Sequence, residues 1–94
     1  MPVIGVLTLE LRLGNSHSLK DKRHVVKGLK ERLRNRFNVS VAEIDYQDLW
    51  QRAVLAAVTV SAERTHAERI LQSVEAEAAA LLGPDLACAN VEWL

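Results

Sequence analysis

The residues with the clearest chemical meaning are the basic side chains of residues 18–38. This stretch contains eight of the twelve Lys and Arg residues and two acidic residues, although the whole chain has no net formal charge. Spacings of three and four residues place five cations on one flank of a helix, and we call this set the basic ridge: Lys20, Arg23, Lys27, Lys30 and Arg34. At about 1.5 Å of rise per residue the ridge extends over roughly 20 Å, a length suited to a phosphate backbone. Together with the neighbouring Lys22, the ridge predicts a surface that binds nucleic acid.

A second candidate site is the loop immediately before this helix. It consists of Asn15, Ser16, His17 and Ser18. Ser18 is a favourable N-cap, and the free backbone N–H groups of a helix N-terminus can bind an anion when Lys and Arg side chains lie nearby. The loop therefore predicts an anion-binding site, and simple capping of the helix is the alternative.

No arrangement of side chains in the sequence predicts catalysis. Nucleophilic catalysis needs a Ser, Cys or Lys close to an oriented base, and no local spacing supplies such a pair. Six other titratable residues have neither the spacing of metal ligands nor that of an acid–base pair: His17, His24, His66, Cys88, Asp45 and Asp48. We therefore expect a protein that is not an enzyme and that has no metal or other cofactor. The single cysteine, Cys88, lies in an apolar stretch and is expected to be a small buried residue.

The hydropathy pattern predicts the elements that would position these residues. Residues 3–13, 39–44, 51–60 and 86–94 have the alternation or the β-branched, apolar composition of strands. The first helix follows Ser18 and has an apolar face made by Leu19, Val26, Leu29, Leu33 and Phe37. The second helix begins between residues 62 and 66, where Thr65 and Glu68 could form a capping box, and ends at Gly83.

The order strand, helix, strand, strand, helix, strand predicts a ferredoxin-like α+β fold. This fold is a βαββαβ sandwich with a four-stranded antiparallel sheet and two helices on one face, and here it would form a single domain over residues 1–94. The other face of the sheet is then uncovered, and its expected residues are more apolar than a solvated face requires: Ile4, Val6, Thr8, Ala53, Leu55, Ala57 and Thr59. We therefore expect a homodimer with an interface that includes Ile4, Val6, Leu55 and Trp50.

The central strands contain no aromatic residue in the positions that RNA recognition motifs of this topology use to stack bases. RNA, free or in a ribosomal particle, would instead be bound through phosphate contacts along the first helix. The alternatives are a basic face that is only solvated and a dimeric regulatory or small-anion-sensing domain. No stretch approaches the roughly 20 apolar residues of a membrane span, and the N-terminus lacks the profile of a signal peptide, so we expect a cytoplasmic protein without a membrane partner.

Five blocks of sequence distributed along the whole chain are informative together: VLTLEL in the first strand, SLKDKR at the start of the first helix, RFNVSVAEID, DLWQRA and the terminal VEWL. In these blocks the chain resembles the YlxP-like family of small bacterial proteins, a family of unknown function. The resemblance implies a ferredoxin-like fold, a cytoplasmic location and dimerisation. It also implies a loose link to translation, because the family's genes are often found near those for translation initiation and ribosome-binding factor A. It supplies no catalytic residue.

Overall fold

The strands and helices follow the predicted order. The computed structural model describes residues 1–94, with β1 (Val3–Arg12), α1 (Leu19–Arg36), β2 (Ser40–Asp45), β3 (Arg52–Ser61), α2 (Arg64–Leu82), a short 3₁₀ turn (Gly83–Asp85) and β4 (Leu86–Trp93). The sheet order is β2-β3-β1-β4, and every neighbouring pair of strands is antiparallel. The predicted ferredoxin-like α+β fold is therefore confirmed.

The core lies between the sheet and the two helices. Leu7, Leu9 and Leu11 of β1 have no solvent exposure, and the helices contribute Leu33 and Leu71 to the same cluster. Alternate residues of a strand point to opposite faces, so the intervening residues of β1 form the side of the sheet that no helix covers. We call this side the open face.

β3 presents the opposite set of side chains from the one predicted. Leu7 pairs with Ala57 and Leu9 pairs with Leu55, and directly paired residues of an antiparallel sheet point to the same face. The prediction that Ala53, Leu55, Ala57 and Thr59 lie on the uncovered face is therefore wrong, because all four are buried under the helices. The open face instead carries the other residues of β3, which are Val54, Ala56, Val58 and Val60.

The open face also includes Cys88, which pairs with Glu10 and is exposed, so the prediction that Cys88 is buried is wrong. Trp93 lies on the helical side of the sheet and packs against the protein's own core. A Cβ atom on Gly5 would lie 2.7 Å from Cζ3 of Trp93, so only glycine permits the indole ring to approach this closely.

The helix ends differ in how they are capped. The Oγ atom of Ser18 accepts a hydrogen bond of 3.0 Å from the backbone N–H of Asp21, which confirms Ser18 as the N-cap of α1. α2 begins at Arg64, and its N-cap residue, Glu63, makes no capping bond with its side chain. The predicted capping box is wrong, because Thr65 already lies inside the helix. At the other end, Gly83 has a φ of 54°, which suits the predicted helix stop.

A buried lysine fixes α1 against the sheet. The side chain of Lys22 is 1% exposed, and its Nζ atom donates hydrogen bonds to the carbonyl oxygens of Tyr46 (2.6 Å), Gln47 (3.3 Å) and Arg52 (3.3 Å). Oε2 of Glu43 lies 3.1 Å from the same atom and has no hydrogen-bond partner, so its interaction with Lys22 is electrostatic. One ammonium group thus joins the first turns of α1 to the end of β2, to the β2–β3 loop (residues 46–51) and to the start of β3.

Replacing this ammonium with an apolar side chain of similar shape should destabilise the protein. We expect Lys22→Met to lower the free energy of unfolding by about 2–4 kcal/mol, because it leaves a partly buried carboxylate and three carbonyl groups without their common partner. The matched control is Lys20→Met on the exposed surface of the same helix, with an expected change within about 0.5 kcal/mol. Urea unfolding followed by circular dichroism measures both, and equal losses in the two variants would contradict the role given to Lys22.

Candidate nucleic-acid interface

The basic ridge lies on one exposed flank of α1. At about 100° per residue, its five members fall within roughly 80° of arc around the helix axis. Four of them are exposed and Lys30 is half-buried. No carboxylate lies within ion-pair distance of any of the five. The ridge is therefore a row of cations without a close ion pair, and the one carboxylate beside it is that of the exposed Glu31, four residues after Lys27 and three before Arg34.

The opposite flank of α1 is neutralised by α2. Arg32 and Arg36 both pair with Glu77, at 2.9 and 3.1 Å. Across the chain, five of the twelve Lys and Arg residues form ion pairs. Of the seven residues without an ion pair, five are the members of the ridge. The packing of the two helices thus leaves positive charge concentrated on the side of α1 that faces away from α2.

Lys22 does not belong to this exposed surface. Its predicted role as a contact to nucleic acid is wrong, because the ammonium group is buried and all of its neighbours belong to the protein. The sequence contained a signal for this. Lys22 follows Leu19 by three residues and precedes Val26 by four, so it shares the spacing of the apolar face.

The predicted anion-binding loop is occupied by groups of the chain itself. The backbone N–H of His17 donates a hydrogen bond of 3.0 Å to Oδ2 of Asp21, whose own N–H is bound by Ser18. Ser16 is buried, and its hydroxyl donates to the carbonyl of Ser18. Asn15 is exposed. The carboxylate of Asp21 therefore already takes the position predicted for an external anion.

The β2–β3 loop is held in one conformation by several hydrogen bonds. Tyr46 has a φ of 61°, a left-handed conformation that non-glycine residues seldom adopt. Its N–H donates to Oδ1 of Asp45 (2.8 Å), and its carbonyl accepts from both Leu49 N (3.0 Å) and Lys22 Nζ (2.6 Å). The backbone strain of a positive φ at a non-glycine residue persists only where surrounding contacts determine the conformation. The bonds to Tyr46 therefore fix the direction in which the rest of the loop leaves β2.

Arg52 connects the end of this loop to the central strand. Its guanidinium donates a hydrogen bond of 2.8 Å to Oε1 of Glu10 and lies 4.2 Å from the centre of the Tyr46 ring. The hydrogen bond to Glu10 raises the pKa of Arg52 above its ordinary value, so the guanidinium stays charged. The buried Nε of Arg52 has no hydrogen-bond partner.

Two adjoining surface cavities meet at this end of the sheet, and we call them together the loop trough. The first has a volume of about 330 Å³ and is lined by residues 48–52, which include Leu49 and Trp50. The second has a volume of about 270 Å³ and brings in Arg12 and Gly14, and both cavities share Gln51 and Arg52. Trp50 is 52% exposed. The sequence pattern did not predict the cations beside Trp50, because only the pairing of Arg12 with Arg52 brings these two residues together.

The residues predicted for a dimer interface separate into three groups. Ile4 and Val6 lie on the open face and are partly exposed, as expected. Leu55 is 0% exposed and faces the helices, because it pairs with the buried Leu9 of β1. The prediction that Leu55 belongs to an interface is therefore wrong. Trp50 lies in the β2–β3 loop, outside the strands that form the face.

No group of three or more His, Cys, Asp or Glu side chains is arranged to hold a metal ion. Neither helix combines the length and the apolar character that crossing a membrane would require.

Solved structures share the fold at low sequence identity. The de novo designed protein Foldit4 aligns with a TM-score of 0.55 and 15% identity, over 100% of this chain and 94% of that chain. The designed protein Ferredog-Diesel aligns with a TM-score of 0.53 and 11% identity, over 95% and 83% of the two chains. A mutant of SnoaB, a cofactor-independent oxygenase from Streptomyces nogalater, aligns with a TM-score of 0.50 and 14% identity, over 99% and 90%. At these identities the similarity shows the fold alone.

Sequence comparison is more specific. The chain is 43% identical over 72 residues to the uncharacterized protein YlxP of Bacillus subtilis (strain 168), and the match covers 77% of this chain and 78% of that protein. Residues 4–90 match the family model described as "Protein of unknown function (DUF503)". The chain therefore belongs to the DUF503 family, whose YlxP-like members it was expected to resemble.

Proposed function

We propose that this protein is a non-enzymatic module that binds RNA, free or within a ribosomal particle, through the basic ridge of α1. The observation that carries the proposal is the concentration of unpaired positive charge on one flank of a helix in a chain with no net charge. A merely solvated helix gains nothing from such segregation, since like charges three and four residues apart destabilise it.

The geometry of the ridge supports contacts to phosphates rather than to bases. Its cations lie along a single line of about 20 Å on a convex helix surface. Lys and Arg side chains in this arrangement neutralise the backbone of a nucleic acid, which positions the partner but carries little sequence information. Most of the binding free energy should therefore be electrostatic and should decrease steeply with added salt.

A second proposal concerns self-association and rests on the corrected open face. Its apolar residues in the two middle strands are Ile4, Val6, Val54, Ala56, Val58 and Val60, and the same face also carries Thr8 and the ion pair of Glu10 with Arg52. With strands of about 20–33 Å and a sheet about 19 Å wide, the face has an area of about 530 Å², so two copies would bury about 1,060 Å², just above the roughly 1,000 Å² that a biological interface should exceed. We infer that two copies pack through this face. The small-anion-sensing alternative has no comparable support, because the backbone N–H of His17 already donates to Asp21 and the N–H of Asp21 donates to Ser18.

Reversing the charge of the ridge should abolish RNA binding. We expect the variant Lys27→Glu, Lys30→Glu, Arg34→Glu to lose measurable affinity for a structured RNA in low salt, because three phosphate contacts become repulsions. In the unaltered protein, the five cations of the ridge should contribute about −3.5 to the slope of log K against log salt on single strands. Fluorescence anisotropy with labelled RNA measures both quantities.

The control for this experiment is a matched pair of single reversals. Lys27→Glu on the ridge and Arg69→Glu on α2 each change the net charge by the same amount, and both residues are exposed helical positions without an ion pair. Only Lys27→Glu should weaken binding. Equal effects would mean that net charge, and not the ridge, governs the interaction, and unchanged binding by the triple variant would exclude the proposed function.

A charge at the centre of the open face should separate the two copies. We expect Val58→Lys to sediment as a 10.5 kDa monomer at concentrations where the unaltered protein sediments at twice that mass. Leu81→Lys, at an exposed leucine of α2, is the control and should remain dimeric. An unaltered protein that is monomeric at high micromolar concentration in sedimentation equilibrium would rule out the interface.

A further inference from the structure

We propose that the loop trough is a binding site for an unpaired nucleotide, whose base stacks on Trp50 and whose phosphate is bound by Arg12. This inference rests on the proposed function and names the class of RNA that the protein prefers. The ridge alone does not distinguish single strands from duplexes, because both present phosphates. An aromatic side chain that is accessible to a base adds a preference for bases that are not already stacked in a helix.

The first observation is that Trp50 is exposed on a loop that hydrogen bonds hold on both sides of it. Its indole is 52% exposed and Leu49 beside it is 45% exposed. The loop that carries them is held at Tyr46 by Lys22, and at Gln51 by the side-chain amide, which donates to the carbonyl of Ser16 at 3.2 Å. A stacking platform that is already ordered loses little conformational entropy when a base binds.

The second observation is that the trough combines an aromatic wall with a free cation. Arg12 is exposed and forms no ion pair, whereas Arg52 is held by Glu10 and Tyr46. Arg12 is thus the cation in this region that is available to a phosphate. The combination of a flat aromatic surface and an adjacent unpaired arginine is the arrangement that single-stranded nucleic acids require.

The third observation is the position of the trough relative to the ridge. Lys22, which holds the loop, lies in the sequence between Lys20 and Arg23, the first two members of the ridge. The trough therefore lies at the end of the molecule where the ridge begins. An RNA strand that follows the ridge toward the N-terminus of α1 arrives beside the loop. Trp50 itself lies in the loop, outside the strands of the open face, whereas Arg12 and Arg52 lie at the charged end of that face. This charged border favours RNA over a second protein chain as the partner of Trp50.

The test compares a short single-stranded RNA with a hairpin duplex of similar length, by anisotropy at fixed salt. We expect Trp50→Ala to weaken binding of the single strand by about 5- to 150-fold, the range measured for loss of one base–aromatic stack, and to leave binding of the duplex unchanged. Trp50→Phe should retain most of the affinity, and Leu81→Ala, which alters an exposed apolar residue of α2 outside the trough, should not change it. Arg12→Ala should weaken the single strand and lower the magnitude of the salt slope by about 0.7.

Four results would overturn the inference. In the first, Trp50→Ala reduces single-strand and duplex affinity equally. In the second, Trp50→Ala leaves both affinities unchanged while charge reversal on the ridge still abolishes binding. This second result rejects the trough as a binding site but keeps the proposed function. Trp50→Ala could instead convert a dimer into a monomer in sedimentation, which would assign the indole to a protein interface. If the unaltered protein binds neither RNA, the proposed function itself fails together with the inference.

Discussion

The placement of α1 depends on one buried ammonium group. Removing a charge from water costs several kcal/mol, and this cost is offset only when polar partners surround the charge with good geometry. Lys22 has such partners in Glu43 and in the carbonyls of Tyr46, Gln47 and Arg52. Because these groups come from β2, from the β2–β3 loop and from β3, the rotation of α1 about its axis and the conformation of the loop are set by the same interaction. The basic ridge faces outward as a consequence.

The distribution of the other charges gives the ridge its character. Glu77 pairs with two arginines of α1 that lie outside the ridge. Glu10 pairs with Arg52 and Glu68 pairs with Arg64, so these three carboxylates neutralise cations other than those of the ridge. Successive members of the ridge are three or four residues apart and repel each other, at a cost of about 0.2–0.5 kcal/mol for each of the neighbouring pairs. The packing of Leu29 and Leu33 in the core must outweigh that cost. Glu31 offsets part of the repulsion, because it lies four residues after Lys27 and three before Arg34.

The sequence predicted the fold because its periodic signals were long and mutually consistent. The alternation of β1 and the helical spacing from Leu19 to Leu33 identify the core side of each element directly. β3 gave no such signal, since residues 53–60 are apolar on both sides, and only pairing with β1 decides that Leu55 is buried and Val58 is not. Lys22 was misplaced for a different reason. Its charge was taken as a mark of the surface, although its spacing was that of the apolar face.

The candidate site was predictable to the extent that it depends on one helix. A helical wheel requires only local geometry, so the five cations of the ridge were placed correctly. The loop trough depends on contacts between residues far apart in sequence: Arg12 with Arg52 through strand pairing, and Gln51 with Ser16 through a side-chain amide. No periodicity in the sequence encodes these distances. Long-range pairing was therefore the missing information for both the trough and the open face.

The two proposed surfaces are compatible because the sheet separates them. The ridge belongs to the helical layer, whereas the apolar residues of β1 and β3 point to the other side. A second copy packed on the open face would leave both ridges exposed, and two linked sites bind a long RNA more tightly than either alone, by raising the effective concentration at the second site. Arg12 and Arg52 occupy the end of the open face, so the loop trough lies at the border between the two surfaces.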